Sequence, residues 1–119
     1  MSHYCRALAI SCIDFRFVTK IREYLVNKGL EGNYDLIGIP GASLAIDEAI
    51  KAIEISDRLH HPSEVYVFDH EDCGAYGEDN SSEKHLENLR RAKEKILEVD
   101  PKLNVHLFLT KFDEIVEVN

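Results

Sequence analysis

The sequence predicts an α/β fold: a small, open, mainly parallel β-sheet with helices on both faces. Three observations predict it. Short apolar runs of strand length alternate with segments of helical periodicity, glycine and proline mark the joints between them, and the intervening helices are long enough to cross from one parallel strand to the next.

Each element follows from its residues. Tyr4 to Cys12 (YCRALAISC) is a short run ending in small residues, as in a buried strand. From Val18 to Lys28, Val18, Ile21, Leu25 and Val26 share one helical face, and Gly29 supplies the stop. Tyr34 to Ile39 is the second strand. GIPGAS is a turn in which Ser43 is placed to cap a helix running through Leu44, Ile46, Ile50, Ile53 and Ile55. Val65 to Phe68 is the third strand. After a glycine-containing loop, Ser81 or Ser82 opens a charged helix with Leu86, Leu89, Ile96 and Leu97, which ends at Asp100-Pro101. Val105 to Leu109 is the fourth strand. The alternating tail from Phe112 to Val118 reads as an edge strand or as a segment facing a partner.

Composition bounds the function. The 119 residues carry a formal charge of −8, from 14 basic and 22 acidic side chains, with no lysine–arginine cluster. That balance argues against a nucleic-acid or anionic-membrane surface and for a small or neutral ligand. Residues 1–119 read as one domain, short for a self-contained enzyme, so a second subunit is expected to complete it. No secretory leader and no bilayer-length apolar run is found, so a cytoplasmic protein is expected. Cys5, Cys12 and Cys73 are odd in number, which disfavours a disulfide framework and leaves metal binding or thiol chemistry open. Cys5 reads as a small core residue without a role. Single histidines such as His60 and His85 read as solvated or packed.

The chemistry concentrates in two stretches. Cys12-Ile13-Asp14-Phe15-Arg16 follows the first strand, and Asp69-His70-Glu71-Asp72-Cys73-Gly74 follows the third. Ligands of open parallel sheets bind at the carboxyl ends of strands near a switch in strand order. If the first and third strands are neighbours, Cys12, His70 and Cys73 converge, and two thiolates with one imidazole suit zinc. Taken singly, each motif also fits packed thiols and, for Asp14 and Arg16, a local ion pair. Their joint placement favours the metal.

With these residues in view, the chain resembles the β-class carbonic anhydrases, which pair a C-x-D-x-R motif after one strand with an H-x-x-C motif after a later one. Cys12, Asp14 and Arg16 match the first motif, and His70 and Cys73 match the second. Gly41 fits the glycine of the loop after the second strand, Gly74 follows the second cysteine, and VHLFLTKFDE is similar to the segment holding the final core strand. The resemblance implies zinc held by Cys12, His70 and Cys73, and reversible hydration of carbon dioxide to bicarbonate by a zinc-bound hydroxide. Asp14 would orient that hydroxide and Arg16 would hold Asp14 away from the metal; were the pair to break, Asp14 could take the fourth zinc position. A homodimer or higher homo-oligomer is implied as well. The alternatives are a non-catalytic zinc- or anion-binding module and a related hydrolase of carbon disulfide or carbonyl sulfide. The chain departs from the family pattern in several places. Only about ten residues precede Cys12, so the dimer-clasping arm is expected to be absent. Gly38 and Ile39 replace polar anchors, Phe15 replaces a small residue and Asp69 replaces a glycine. Glu71, Asp72 and Glu78 add negative charge.

Overall fold

A computed structural model describes residues 3–118. Five strands, β1 (Ala7–Ser11), β2 (Tyr34–Gly38), β3 (Glu64–His70), β4 (Asn104–Thr110) and β5 (Ile115–Val118), form one open sheet in the order β2-β1-β3-β4-β5. The first four are parallel and β5 runs antiparallel to β4. Three helices connect them: α1 (Phe15–Asn27), α2 (Ile46–His60) and α3 (Ser82–Val99). The predicted α/β class, with helices on both faces, is the observed one.

The alternation of side chains along β1 shows how the two faces are built. Leu8 and Ile10 point into an aliphatic layer with Val65, Val67 and Leu107, against Ile46 and Ile53 of α2 and Leu89 and Ile96 of α3. Ala7 and Ala9 point the other way, and their small size leaves room for Phe17, Ile21 and Leu25 of α1 beside Tyr66, Phe68 and Phe108. On that face the Phe68 and Phe108 rings stack with centroids 4.7 Å apart. All five residues of β1 are buried because the strand is central and covered on both sides, which is why the sequence shows an apolar run there and not an alternation.

Helix boundaries refine the sequence reading. α1 begins at Phe15, three residues earlier than the periodicity indicates, because Asp14 caps it by accepting the Arg16 N–H at 2.9 Å. Ser81 caps α3 through the Lys84 N–H at 3.2 Å. The expected cap at Ser43 is not formed. Residues Ala42–Ala45 make a 3₁₀ turn ahead of α2, and Ser43 is buried with its hydroxyl donating to Asp69 instead. Ile115–Val118 is an edge strand, as the first of the two readings of the tail has it. Cys5 is half-buried at the edge of the fold, outside the core in which the sequence reading placed it. Among the described residues no helix is long and apolar enough to cross a membrane.

Strand order reverses between β1 and β3. The chain leaves β1 for β2 on one side of the sheet, and β3 and β4 are laid down on the other. The crevice at the carboxyl ends of β1 and β3 is therefore the switch point of the sheet.

Candidate metal centre

Both reactive stretches open onto that crevice. Ser11 is in register with Phe68, so Cys12, just past β1, lies level with the end of β3, where His70 is the last strand residue. Cys73 follows in the loop. The sulfurs of Cys12 and Cys73 and a ring nitrogen of His70 all lie within 4.8 Å of one another.

His70 is prepared as a nitrogen donor. Its Nδ1 lies 2.7 Å from the Glu71 carbonyl oxygen, which can only accept, so Nδ1 carries the proton and Nε2 presents the lone pair. Nε2 is buried and has no hydrogen-bond partner. Phe17 stacks on the ring at 4.4 Å and fixes its plane. A buried nitrogen left unpaired costs stability, so its persistence beside two sulfurs needs a ligand-shaped reason.

The sulfurs point the same way. Burial, and then the neighbouring Cys12, push the Cys73 thiol up to about 11. As a free thiol Cys73 would stay protonated near neutral pH, whereas a divalent cation at the sulfur would reverse that balance. Cys12 is half-buried and accepts the Gly41 N–H at 3.4 Å. Gly41 sits at φ +88°, and an added Cβ would come within 3.1 Å of Leu44, so glycine is what lets this N–H approach the sulfur. The donor set and the orphaned His70 nitrogen fit a zinc ion.

Asp14 and Arg16 form the outer edge of the site. Asp14 Oδ2 stands 3.8 Å from His70 Nε2, close to the cluster yet not bonded to it. The Arg16 guanidinium grips the carboxylate from Nε (3.0 Å to Oδ1) and Nη2 (2.6 Å to Oδ2). Those bonds hold the Asp14 carboxyl down to about 2, against a smaller opposing effect of desolvation. Arg16 has a second carboxylate partner that the sequence did not reveal. Its Nη1 donates to Asp72 Oδ2 and its Nη2 to the Asp72 carbonyl, each at 2.9 Å. Asp72 adopts φ +54°, a conformation that brings its carbonyl and its side chain to the same guanidinium. The extra negative charge read at Asp72 is thus paired and serves to fix Arg16.

On the inner side, Asp69 organises a buried network. Its Oδ2 accepts from Tyr76 Oη (2.6 Å), from His85 Nδ1 (2.7 Å) and from Ser43 Oγ (2.8 Å), and its Oδ1 accepts the Ser43 N–H (3.1 Å). Asn80 bridges His85 Nε2 and the Cys73 carbonyl. The network ties β3, the loop after β2, and α3 together directly behind the Cys12–His70–Cys73 cluster. The sequence places Asp69 in the reactive stretch after the third strand and as a substitution, with no role of its own. Its partners lie in three separate segments, so no local signal could have collected them.

The site opens into a cleft of ≈ 690 Å³, lined by Cys12, Asp14, Arg16 and Cys73 together with Ile13, Phe15, Pro40 and Ala75. Ile13, Phe15 and Val18 are 62%, 85% and 52% exposed, an apolar surface beside a polar site.

Comparison with known proteins agrees with this fold. A family model described as “Putative carbonic anhydrase” matches residues 2–119. An uncharacterized protein of Rickettsia conorii is 36% identical, the alignment covering 92% of this chain and 69% of that protein. Another, from Rickettsia bellii, is 33% identical over 92% of this chain and 79% of its own length. Among solved structures, a carbonic anhydrase from Glaciozyma antarctica superposes with a TM-score of 0.72 at 17% identity, covering all of this chain and 85% of that one. A β-carbonic anhydrase of Aspergillus fumigatus gives 0.59 at 15% identity, over 98% and 76% of the two chains. The apo form of a carbon disulfide hydrolase gives 0.66 at 14%, over 100% and 81%. The family match spans nearly the whole sequence and the sheet is laid out as in the β-class structures; the chain belongs to the family described as “Putative carbonic anhydrase”, as a small, divergent member with the β-class fold.

Proposed function

We propose that the chain is a single cytoplasmic domain that binds zinc through Cys12, His70 and Cys73 and catalyses reversible hydration of carbon dioxide to bicarbonate. The observation that carries this reading is the buried, unpartnered His70 Nε2 facing two cysteine sulfurs at the switch point of the sheet. Zinc, when bound, supplies a Lewis acid that lowers the pKa of water toward about 7.

The remaining roles belong to the chain. Phe17 and the Glu71 carbonyl hold the imidazole with Nε2 inward. The Gly41 N–H bonds to the Cys12 sulfur and steadies it. Asp14, ionised and half-buried, accepts a hydrogen bond at Oδ2 from the attacking water and orients its lone pair toward carbon dioxide. Arg16, anchored by Asp72, keeps that carboxylate turned away from the sulfurs. The apolar rim of Ile13, Phe15 and Val18, with Leu36 at 62% exposure on the neighbouring edge strand, supports a second copy of the chain closing over the cleft.

Stopped-flow hydration of carbon dioxide by zinc-loaded, reduced protein at alkaline pH tests the proposal, with carbon disulfide offered in parallel. The expected result is a chelator-sensitive rate well above buffer. Cys73→Ala removes both zinc and rate. Asp14→Asn keeps zinc and lowers the rate about 10–100-fold, the usual cost of losing a group that orients a metal site. A rate equal to buffer with zinc confirmed in the sample would make the protein a non-catalytic zinc-binding module, and turnover of carbon disulfide alone would make it a hydrolase.

A further inference from the structure

The opposite end of the sheet holds a second convergence of metal-ligating atoms. Cys5 lies just before β1, Asp35 is the second residue of β2, and His60 ends α2. Ligand atoms of these three side chains lie within 4.8 Å of one another. Cys12 lies seven positions of largely extended chain beyond Cys5, so this cluster is on the order of 20 Å from the Cys12–His70–Cys73 centre and belongs to no part of it.

Backbone structure holds the three side chains in place. The Cys5 N–H donates to the His60 carbonyl at 3.1 Å, tying the lead into β1 to the end of α2. Leu8 pairs with Asp35 in the β1–β2 register, which sets Asp35 beside that lead. His61 turns the chain out of α2 with φ +47°, leaving His60 on the last turn. Ser56 and His60, four residues apart on one helix face, both reach Asp35 Oδ2, at 2.7 and 2.6 Å. The Asp35 and His60 side chains are each less than a third exposed and Cys5 is half-buried, so solvent reaches the cluster without dissolving it.

We propose that Cys5, Asp35 and His60 form a second metal site, selective for a borderline divalent ion of the zinc type. Sulfur, nitrogen and a single carboxylate suit zinc, cobalt or nickel, and are a poor set for calcium or magnesium, which take oxygen ligands. Binding releases the Cys5 thiol proton to solvent, and the His60 ring proton moves from Nδ1 to Nε2 as Nδ1 turns from Asp35 to the ion. A thiolate, a carboxylate and a neutral imidazole then balance the dication. Ser56 keeps its bond to Asp35 and orients it. The ring of His3 lies 4.8 Å from that of His60, at the side of the cluster. The ion would staple α2 and the start of β1 to the edge of the sheet.

Metal counting after cobalt(II) or zinc(II) loading and desalting tests this directly, comparing the reduced wild-type chain with Cys5→Ser. Serine can still donate to the Ala7 carbonyl, as the Cys5 thiol does at 3.3 Å, so the variant is expected to fold. The expected result is a loss of one ion per chain in Cys5→Ser, with a matching loss of sulfur-to-cobalt charge-transfer absorption in the near ultraviolet, and the same loss in His60→Ala. Equal metal content and equal spectra in wild type and Cys5→Ser would overturn the proposal. The comparison is independent of the carbonic anhydrase-like site: if Cys12, His70 and Cys73 hold no metal, both totals fall by one and the difference remains.

Discussion

Two aspartates flank the candidate metal centre, and they are built differently. Asp69 is buried on the inner side, with donors from Tyr76, His85, the Ser43 hydroxyl and the Ser43 backbone converging on its oxygens. Asp14 lies on the outer side with 15% of its side chain exposed, held chiefly by an arginine whose own side chain is 34% exposed. Polar networks in the interior are strong when every member is satisfied and expensive when one is removed, whereas exposed ion pairs contribute little to stability. The inner carboxylate is therefore built as scaffolding, and the outer one is the carboxylate to which the proposed mechanism gives a working role.

The sharpest way to break this comparison is to remove each carboxylate in turn. Asp69→Ala strands at least three buried donors and is expected to cost about 3–5 kcal/mol of unfolding free energy by urea titration. Asp14→Ala removes the cap of α1 as well as the ion pair and should cost less, about 1–2 kcal/mol in the same titration. Equal losses would show that the two sides of the site are not distinct. Arg16→Ala comes next. With Asp14 no longer restrained, hydration should fall about 10–100-fold while zinc content and the urea midpoint stay close to wild type. A variant that keeps the full rate would mean that Asp14 needs no restraint. The smallest effect is expected for Asp72→Asn. Asparagine tolerates the left-handed backbone at this position and the bond from Arg16 to the residue 72 carbonyl survives, so stability should change by less than about 0.5 kcal/mol. A rate loss as large as that of Arg16→Ala would instead make Asp72 the true anchor of the arginine.

What the sequence disclosed follows the same division between local and distant causes. β1 and β3 were legible because a central parallel strand must be apolar on both faces, and the spacing within Cys12–Arg16 and His70–Cys73 sits in short continuous stretches. The start of α1 was obscured because Asp14 serves at once as helix cap and as site residue. Ser43 carried the usual mark of an N-cap, but Asp69, 26 positions away, claims its hydroxyl, and no pattern near Ser43 encodes that capture. Asp72 was read as surplus charge because its value depends on one backbone angle. Residue type alone places Cys5 in the core. Pairing with Asn33 and His60 instead holds its segment at the rim of the sheet, where a different set of side chains meets.

The reversal of strand order between β1 and β3 also governs when the site can come into being. Arg16 and Asp72 meet across 56 positions, and Cys12 cannot approach His70 or Cys73 until β3 has been made and has paired with β1. During synthesis the amino-terminal half would therefore leave the ribosome with its sheet unfinished and the first cysteine waiting for its partners. Closing so long a loop costs entropy before any contact repays it, which makes the β1–β3 pairing a late and slow step. An ion that bridges Cys12 and Cys73 would lock that step once taken, so the metal supply of the cell would bear on the yield of folded chain as well as on its chemistry.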